Sequence, residues 1–104
     1  MPDQALTPLA REVIAIIASL APGEVVSYGD IADDAGHPGA ARAVGALLAH
    51  TDVDLPWWRV VRSDGRIVTG RPDRQAELLG AEGVTVIDGR VVASPAGRFA
   101  GLRP

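Results

Sequence analysis

The stretch Val25-Val26-Ser27-Tyr28-Gly29-Asp30-Ile31-Ala32-Asp33-Asp34-Ala35-Gly36-His37-Pro38-Gly39-Ala40-Ala41-Arg42-Ala43-Val44-Gly45 decides how this chain is read. Val25-Val26 is a short extended piece, and Ser27 offers the side-chain oxygen of a helix N-cap. A short helix is predicted over residues 28 to 35, closed by Gly36, because glycine takes the left-handed conformation in which helices commonly end. The sharp turn Gly36-His37-Pro38-Gly39 then opens another helix, from Ala40 to about Ala49. Two short helices joined by a tight glycine-bearing turn make a helix-turn-helix pattern.

Outward from this core the punctuation stays clear. Thr7-Pro8 reads as an N-cap followed by proline at the first helical position, and Leu9, Val13, Ile16, Ile17 and Leu20 then recur at helical spacing. On the other side, Val60-Val61 and Ile67-Val68 flank Ser63-Asp64-Gly65, which predicts a hairpin or wing. Asp73 is expected to cap a helix running through Leu78-Leu79 toward Glu82 and ended by Gly83. Val84-Thr85-Val86-Ile87 and Arg90-Val91-Val92 surround Asp88-Gly89, the strongest short hairpin signal. The tail from Ser94 or Pro95 onward is expected to be loosely ordered. The expected fold is mainly α with short β-hairpins, a single winged helix-turn-helix domain over residues 1 to 104.

Composition limits the function classes. Hydrophobic residues make up 47% of the chain, which suits a packed core, yet no apolar run reaches the ~18 to 20 residues of a membrane span. No basic region followed by an apolar block opens the sequence, so a cytoplasmic protein is expected, nucleoid-associated when bound to DNA. Cysteine is absent, which excludes disulfides, thiolate metal ligands and a cysteine nucleophile. The two histidines, His37 and His50, lie on different segments, so neither a metal nor a cofactor is expected. A net charge of −3 argues weakly against nucleic acid, since phosphate neutralisation needs a basic face. Six of the ten arginines, however, fall between Arg42 and Arg74, opposed there only by Asp52, Asp54, Asp64 and Asp73. One positive surface on an acidic protein is consistent with that distribution.

Both tryptophans of the chain stand together in Pro56-Trp57-Trp58-Arg59-Val60-Val61. Neighbours in an extended segment point to opposite faces, so a core has no use for both indoles and at least one needs another explanation.

Three ordered blocks carry a family resemblance: Val26-Ser27-Tyr28-Gly29-Asp30-Ile31-Ala32; Gly36-His37-Pro38-Gly39-Ala40-Ala41-Arg42-Ala43-Val44-Gly45; and Leu55-Pro56-Trp57-Trp58-Arg59-Val60-Val61. Over roughly residues 7 to 84 the chain resembles the C-terminal DNA-binding domain of O6-alkylguanine-DNA alkyltransferases. It is closer still to the alkyltransferase-like proteins, which carry tryptophan where the enzymes carry their acceptor cysteine. In the enzymes the motif reads Pro-Cys-His-Arg-Val, and the histidine, linked to a glutamate, helps deprotonate the cysteine. The resemblance places Trp57 at the nucleophile and Trp58 at the base, with Glu82 matching the glutamate. Indole supplies no nucleophile suited to alkyl transfer, so it implies a protein that binds without catalysing.

The resemblance also implies the binding residues. Arg42 matches the arginine finger that fills the gap left by a rotated nucleotide, a role suited to a planar cation with several donors. Tyr28 matches the tyrosine that crowds the phosphate beside the lesion, and Ser27, Ala41 and Gly45 join them on the DNA-binding side. Trp57, Tyr28, Val60 and Arg71 are assigned to the lesion pocket, Val60 through a backbone carbonyl that reads the guanine amino edge. Pro56, Trp58, Arg59 and Glu82 are assigned to supporting the motif, Trp58 by packing behind the pocket. The implied activity is recognition of O6-alkylguanine in double-stranded DNA by nucleotide flipping, by a monomer, with a nucleotide excision repair protein as partner. A helix-turn-helix regulator and a catalytically dead protein-interaction module remain alternatives, although the alanine-rich third helix offers few hydrogen-bonding groups to base edges.

Overall fold

A computed structural model of the chain describes residues 7–102. Helix α1 spans Pro8–Ala18, and its first turn is closed by Thr7, whose hydroxyl oxygen accepts the Ala10 amide at 3.1 Å. Strand β1 (Glu24–Ser27) runs without a break into α2 (Tyr28–Asp34), Ser27 serving as last strand residue and helix cap together. Its Oγ accepts the Asp30 amide at 3.0 Å while the Asp30 carboxylate accepts the Ser27 amide at 2.9 Å. This reciprocal box satisfies two amides that a helix start otherwise leaves unpaired. Gly36, at φ +81, turns the chain out of α2, and α3 follows at Ala41–His50. The helix-turn-helix read from the sequence is present.

The strands depart from expectation. Strand β2 (Val60–Val61) pairs in parallel with β1, Val26 opposite Val60 and Ser27 opposite Val61, rather than forming a hairpin with Ile67-Val68. The intervening turn does form, the Gly65 amide donating to the Arg62 carbonyl at 2.8 Å. Beyond it the chain lies against a different partner. The Ile67 amide donates to the Gly89 carbonyl and the Val91 amide to the Gly65 carbonyl, with Arg66 bridged antiparallel to Arg90. Burial explains the choice. Paired in parallel beside β1, Val60 and Val61 are both 0% exposed, whereas Val68 remains 52% exposed and could not have covered them. A strand buried on both faces reads as a continuous apolar pair, which the sequence shows at Val25-Val26 and Val60-Val61.

Helix α4 (Pro72–Ala81) corrects a second expectation: Asp73 is not its cap. Pro72, with φ preset for the first helical position, starts the helix two residues earlier, leaving Arg71 at the N-cap position without a side-chain bond. Asp73 sits in the first turn, where its charge favours the helix dipole. Strands β3 (Thr85–Ile87) and β4 (Arg90–Ala93) form the hairpin expected around Asp88-Gly89, both turn residues at positive φ (51 and 74).

A third correction concerns the tail. Strand β5 (Ala96–Gly97) adds in parallel to the free edge of β1, giving the order β2-β1-β5, and the Arg98 amide donates to the Val25 carbonyl at 2.8 Å. Phe99 is 6% exposed. Ser-Pro-Ala-Gly-Arg carries no apolar periodicity, so the sequence does not disclose a segment tied down by main-chain bonds and one phenylalanine. Arg103 and Pro104 lie outside the described residues.

The β1–β2 ladder separates two cores. Val60 joins Val13, Ile17, Ile31 and Val44 in one, with Val26 packed against it, while Val25 and Val61 join Leu79, Val84, Val91 and Phe99 in the other. The period of two along each strand thus feeds both clusters. Each fully buried aliphatic among them contributes about 1.5–3 kcal/mol. The motif between Pro56 and Val60 is anchored at the seam.

Candidate nucleic-acid interface

Trp57, Trp58 and Arg59 form a single 3₁₀ turn entered from Pro56, not the extended segment the sequence suggested. The two indoles diverge all the same. Their centroids are 6.0 Å apart with ring planes at 89°, an edge-on contact. Trp57 faces a cleft of about 1080 Å³. Trp58 turns the other way and packs against the second core.

Behind the cleft wall one carboxylate organises the motif. Glu82 accepts Arg59 Nε at 2.9 Å and Arg59 Nη2 at 2.6 Å, Trp58 Nε1 at 3.0 Å and the Gly23 amide at 2.9 Å. The third Arg59 nitrogen, Nη1, donates to the Leu20 carbonyl at 2.7 Å, and the guanidinium stacks 5.1 Å from the Trp58 ring centre. The planar fork of arginine suits this two-point pairing. Arg59 above all, then the Gly23 amide and the Trp58 indole, hold the Glu82 carboxyl at about 2 against the opposing effect of burial.

A second clamp escaped the sequence reading. Gln75 on α4 is 0% exposed, and its amide nitrogen donates to the Trp58 carbonyl at 3.0 Å and the Val60 carbonyl at 3.1 Å. Its oxygen accepts the Thr69 hydroxyl at 2.9 Å, and Thr69 Oγ1 in turn accepts the Arg71 amide at 3.3 Å. The loop carrying Arg71 is therefore tied to the motif carrying Trp57 through one buried side chain. The available signal was Gln75 lying four residues before Leu79 on the buried face of α4, a polar residue in an apolar position.

The cleft gathers most of the residues singled out from sequence. Tyr28 comes from the start of α2, Ala41, Arg42 and Gly45 from α3, Trp57 from the motif, and Arg71 from the opposite loop. Half-buried Tyr28 has its hydroxyl pKa raised by desolvation, so it stays protonated at neutral pH. A Cβ added to Gly45 would stand 3.8 Å from the Tyr28 ring, so the ring lies along α3 where glycine leaves a smooth surface. Arg71 reaches across until its guanidinium is 4.9 Å above the Trp57 ring centre. Other lining residues were not foreseen, among them Leu48, Arg62, Val68, Thr69 and the two carboxylates Asp52 and Asp54.

Two assigned residues fall elsewhere. Val60 is not on the cleft wall: its side chain is in the first core, and its carbonyl is engaged by Gln75. Ser27 is 1% exposed, and its amide and hydroxyl oxygen are both spent in the capping box. It shapes the start of α2 rather than presenting a surface. Pro56, Trp58, Arg59 and Glu82 sit behind Trp57 as its support.

Chemically the cleft offers a flat indole under a planar cation, a phenol, and an exposed arginine on its helical edge. No cysteine exists in the chain and neither histidine lines the cleft. Among the described residues, no group of three or more His, Asp or Glu side chains is gathered as a metal ion would require. The arrangement can hold a flat heteroaromatic ring against Trp57 while Arg42 and Tyr28 engage what surrounds it.

The DNA-binding-domain model of the 6-O-methylguanine DNA methyltransferases matches residues 8–84. A DNA base-flipping protein of Vibrio parahaemolyticus is 44% identical over 79 residues, covering 72% of this chain and 79% of that protein. The DNA base-flipping protein of Escherichia coli is 45% identical over 80 residues, covering 73% of this chain but only 62% of its own length. Among solved structures, S. pombe Atl1 in complex with damaged DNA containing O6-carboxymethylguanine superposes with a TM-score of 0.70 at 32% identity. That match covers 76% of this chain and 79% of Atl1.

Proposed function

Because this chain belongs to the 6-O-methylguanine DNA methyltransferase DNA-binding-domain family, we propose that it recognises O6-alkylguanine in duplex DNA by flipping the nucleotide against Trp57, without transferring the alkyl group. The observation that carries this reading is the stack of Arg71 over Trp57 in a cleft edged by Arg42 and Tyr28. A base taken out of the helix needs a flat apolar surface in the pocket and something to fill the vacancy it leaves. Trp57 supplies the surface. Arg42, exposed on α3, supplies the filler, and Tyr28 at the head of α2 crowds the backbone beside it.

Catalysis is lost at two positions together. Trp57 stands where the enzymes hold the acceptor cysteine. Trp58 stands where they hold the histidine, and its indole N–H, a donor with no basic lone pair to accept a proton, fills the hydrogen bond to Glu82. In place of turnover, the bound protein marks the lesion for a nucleotide excision repair protein. Reading of undamaged sequence in the major groove is disfavoured, since the exposed residues of α3 are largely alanine.

Titration of tryptophan fluorescence with otherwise identical duplexes, one bearing O6-methylguanine, tests the reading. Tighter binding to the modified duplex is expected. Equal affinity for the two would overturn it.

A further inference from the structure

Outside the cleft, the Ser63-Asp64-Gly65 turn and the β3–β4 hairpin bring arginines together in a way the lesion pocket does not use. Arg66 and Arg90 stand directly opposite each other in an antiparallel bridge, and the stem of Arg90 lies across Gly65. Like charges facing each other across strands are destabilising unless something neutralises them. The carboxylate nearest to hand is Asp64, 3.5 Å from Arg66 in an ion pair whose side chains are 59% and 44% exposed. Such an exposed pair is worth little. The Arg62 amide donates to the Arg66 carbonyl at 3.0 Å, which sets Arg62 beside this pair, and the Asp64 carboxyl is held below its usual range first by the Arg66 amide and then by the guanidiniums of Arg62, Arg66 and Arg90.

Arg62 and Arg90 take part in no ion pair among the described residues. A fourth arginine at this turn, Arg98, donates to the Ser63 carbonyl but is neutralised by Asp30 at 2.9 Å. Three guanidiniums stand against Asp64 and, in the turn of the same hairpin, Asp88, which leaves a local excess of one positive charge on a chain whose net charge is −3. Arg62 also lines the cleft, so the patch continues from the wall of the pocket out to the wing. Arg90 lies beyond residues 8–84 that match the family model.

We propose that Arg62, Arg66 and Arg90 form a second anion site on the wing, which grips phosphates of the duplex backbone alongside the lesion pocket. The inference rests on the DNA-binding reading above but concerns a different surface and a different contribution. Phosphate contacts position a protein on the duplex and carry no information about the base. They therefore strengthen binding to modified and unmodified duplexes alike.

The double variant Arg66→Gln/Arg90→Gln keeps the side-chain stems and removes both charges. Affinity is measured against salt concentration on an O6-methylguanine duplex and on its unmodified counterpart. For every phosphate the protein no longer neutralises, the slope of log affinity against log salt falls by about 0.9, so a fall of about two is expected on both duplexes, with their affinity ratio unchanged. Asp64→Asn removes the competing carboxylate and is expected to tighten binding to both duplexes. An unchanged slope in the double variant, with the wild-type preference for the lesion intact, overturns the wing site and leaves the pocket reading standing. A reduced slope in a protein that shows no preference for the lesion supports the wing site and sinks the pocket reading.

Discussion

The Arg71 guanidinium lies 4.9 Å above the centre of the Trp57 ring, with its loop tied to the same motif through Gln75. A flat ligand entering the cleft must either displace the arginine or share the stack with it. Cation–π contacts at exposed sites are worth about 0.5–1 kcal/mol. Arg71→Ala should therefore weaken binding to an O6-methylguanine duplex about two- to fivefold where the arginine shares the stack, tighten it by a similar factor where the ligand displaces it, and in both cases shift tryptophan emission of the free protein. No change in emission would show that the stack is not populated in solution.

Trp57→Ala removes the surface itself. Stacking of a base on an aromatic ring is worth about 1–3 kcal/mol, so the preference for the modified duplex should fall by an order of magnitude or more. Trp57 is half-buried on a cleft wall and makes no side-chain hydrogen bond among the described residues, so the urea midpoint should move less than for Trp58→Ala. A variant that unfolds as readily as Trp58→Ala would recast Trp57 as a packing residue.

What the sequence made legible was the part governed by local rules. The Thr7 and Ser27 caps, the Gly36 stop and the Asp88-Gly89 turn each depend on a few consecutive residues, and each is found in the structure. Pairing between distant segments was not legible. Val60-Val61 and the Ala96-Gly97 strand both add to β1 through main-chain bonds that leave no mark on side-chain identity. The site divides in the same way. Tyr28, Ala41, Arg42, Gly45 and Trp57 came from ordered blocks and Arg71 from the loop after them, whereas Gln75, which joins the two sides of the cleft, acts through carbonyls of other segments. The same holds for Val60, whose carbonyl accepts the Gln75 amide from behind, a bond that its side chain does not announce.

Gln75→Leu tests that clamp. The substitution keeps the volume but leaves the Trp58 and Val60 carbonyls and the Thr69 hydroxyl without their partner. Each buried group left unsatisfied costs about 1–3 kcal/mol, so a loss of at least about 2 kcal/mol in urea unfolding is expected. Because the Arg71 loop is released as well, lesion preference should drop in protein that is still folded. Full preference in the folded variant would confine Gln75 to stability.

The C-terminal strand can be tested at Gly97. Its φ is +86, and an added Cβ would stand 2.3 Å from the Val25 carbonyl oxygen, closer than any backbone tolerates. Gly97→Ala must therefore detach β5 or distort β1, releasing Phe99 from the second core. A loss of at least about 2 kcal/mol is expected, on the scale of exposing one buried aromatic side chain. A variant as stable as wild type would mean that β5 adds nothing to the fold.

Glu82 gives the motif a defined pH dependence. Its carboxyl lies at about 2 in the folded protein against an ordinary value of 4.5, so the native state favours the ionised form. The stability this contributes is fully present above 4.5 and is lost as pH falls through that window toward about 2. Glu82→Gln keeps the shape but not the charge, and should unfold more readily than wild type at neutral pH. The difference between the two proteins should hold constant down to about pH 5 and narrow progressively below it. A difference that does not change with pH would show that the Arg59 pairing is not what holds the carboxylate. The same value bears on chemistry: general bases work best with a pKa near the operating pH, and a carboxylate ionised down to about 2 is too weak a base to drive proton abstraction at neutrality. With an indole N–H rather than an imidazole between it and the cleft, Glu82 fixes the position of Trp58 and Arg59 behind the cleft wall.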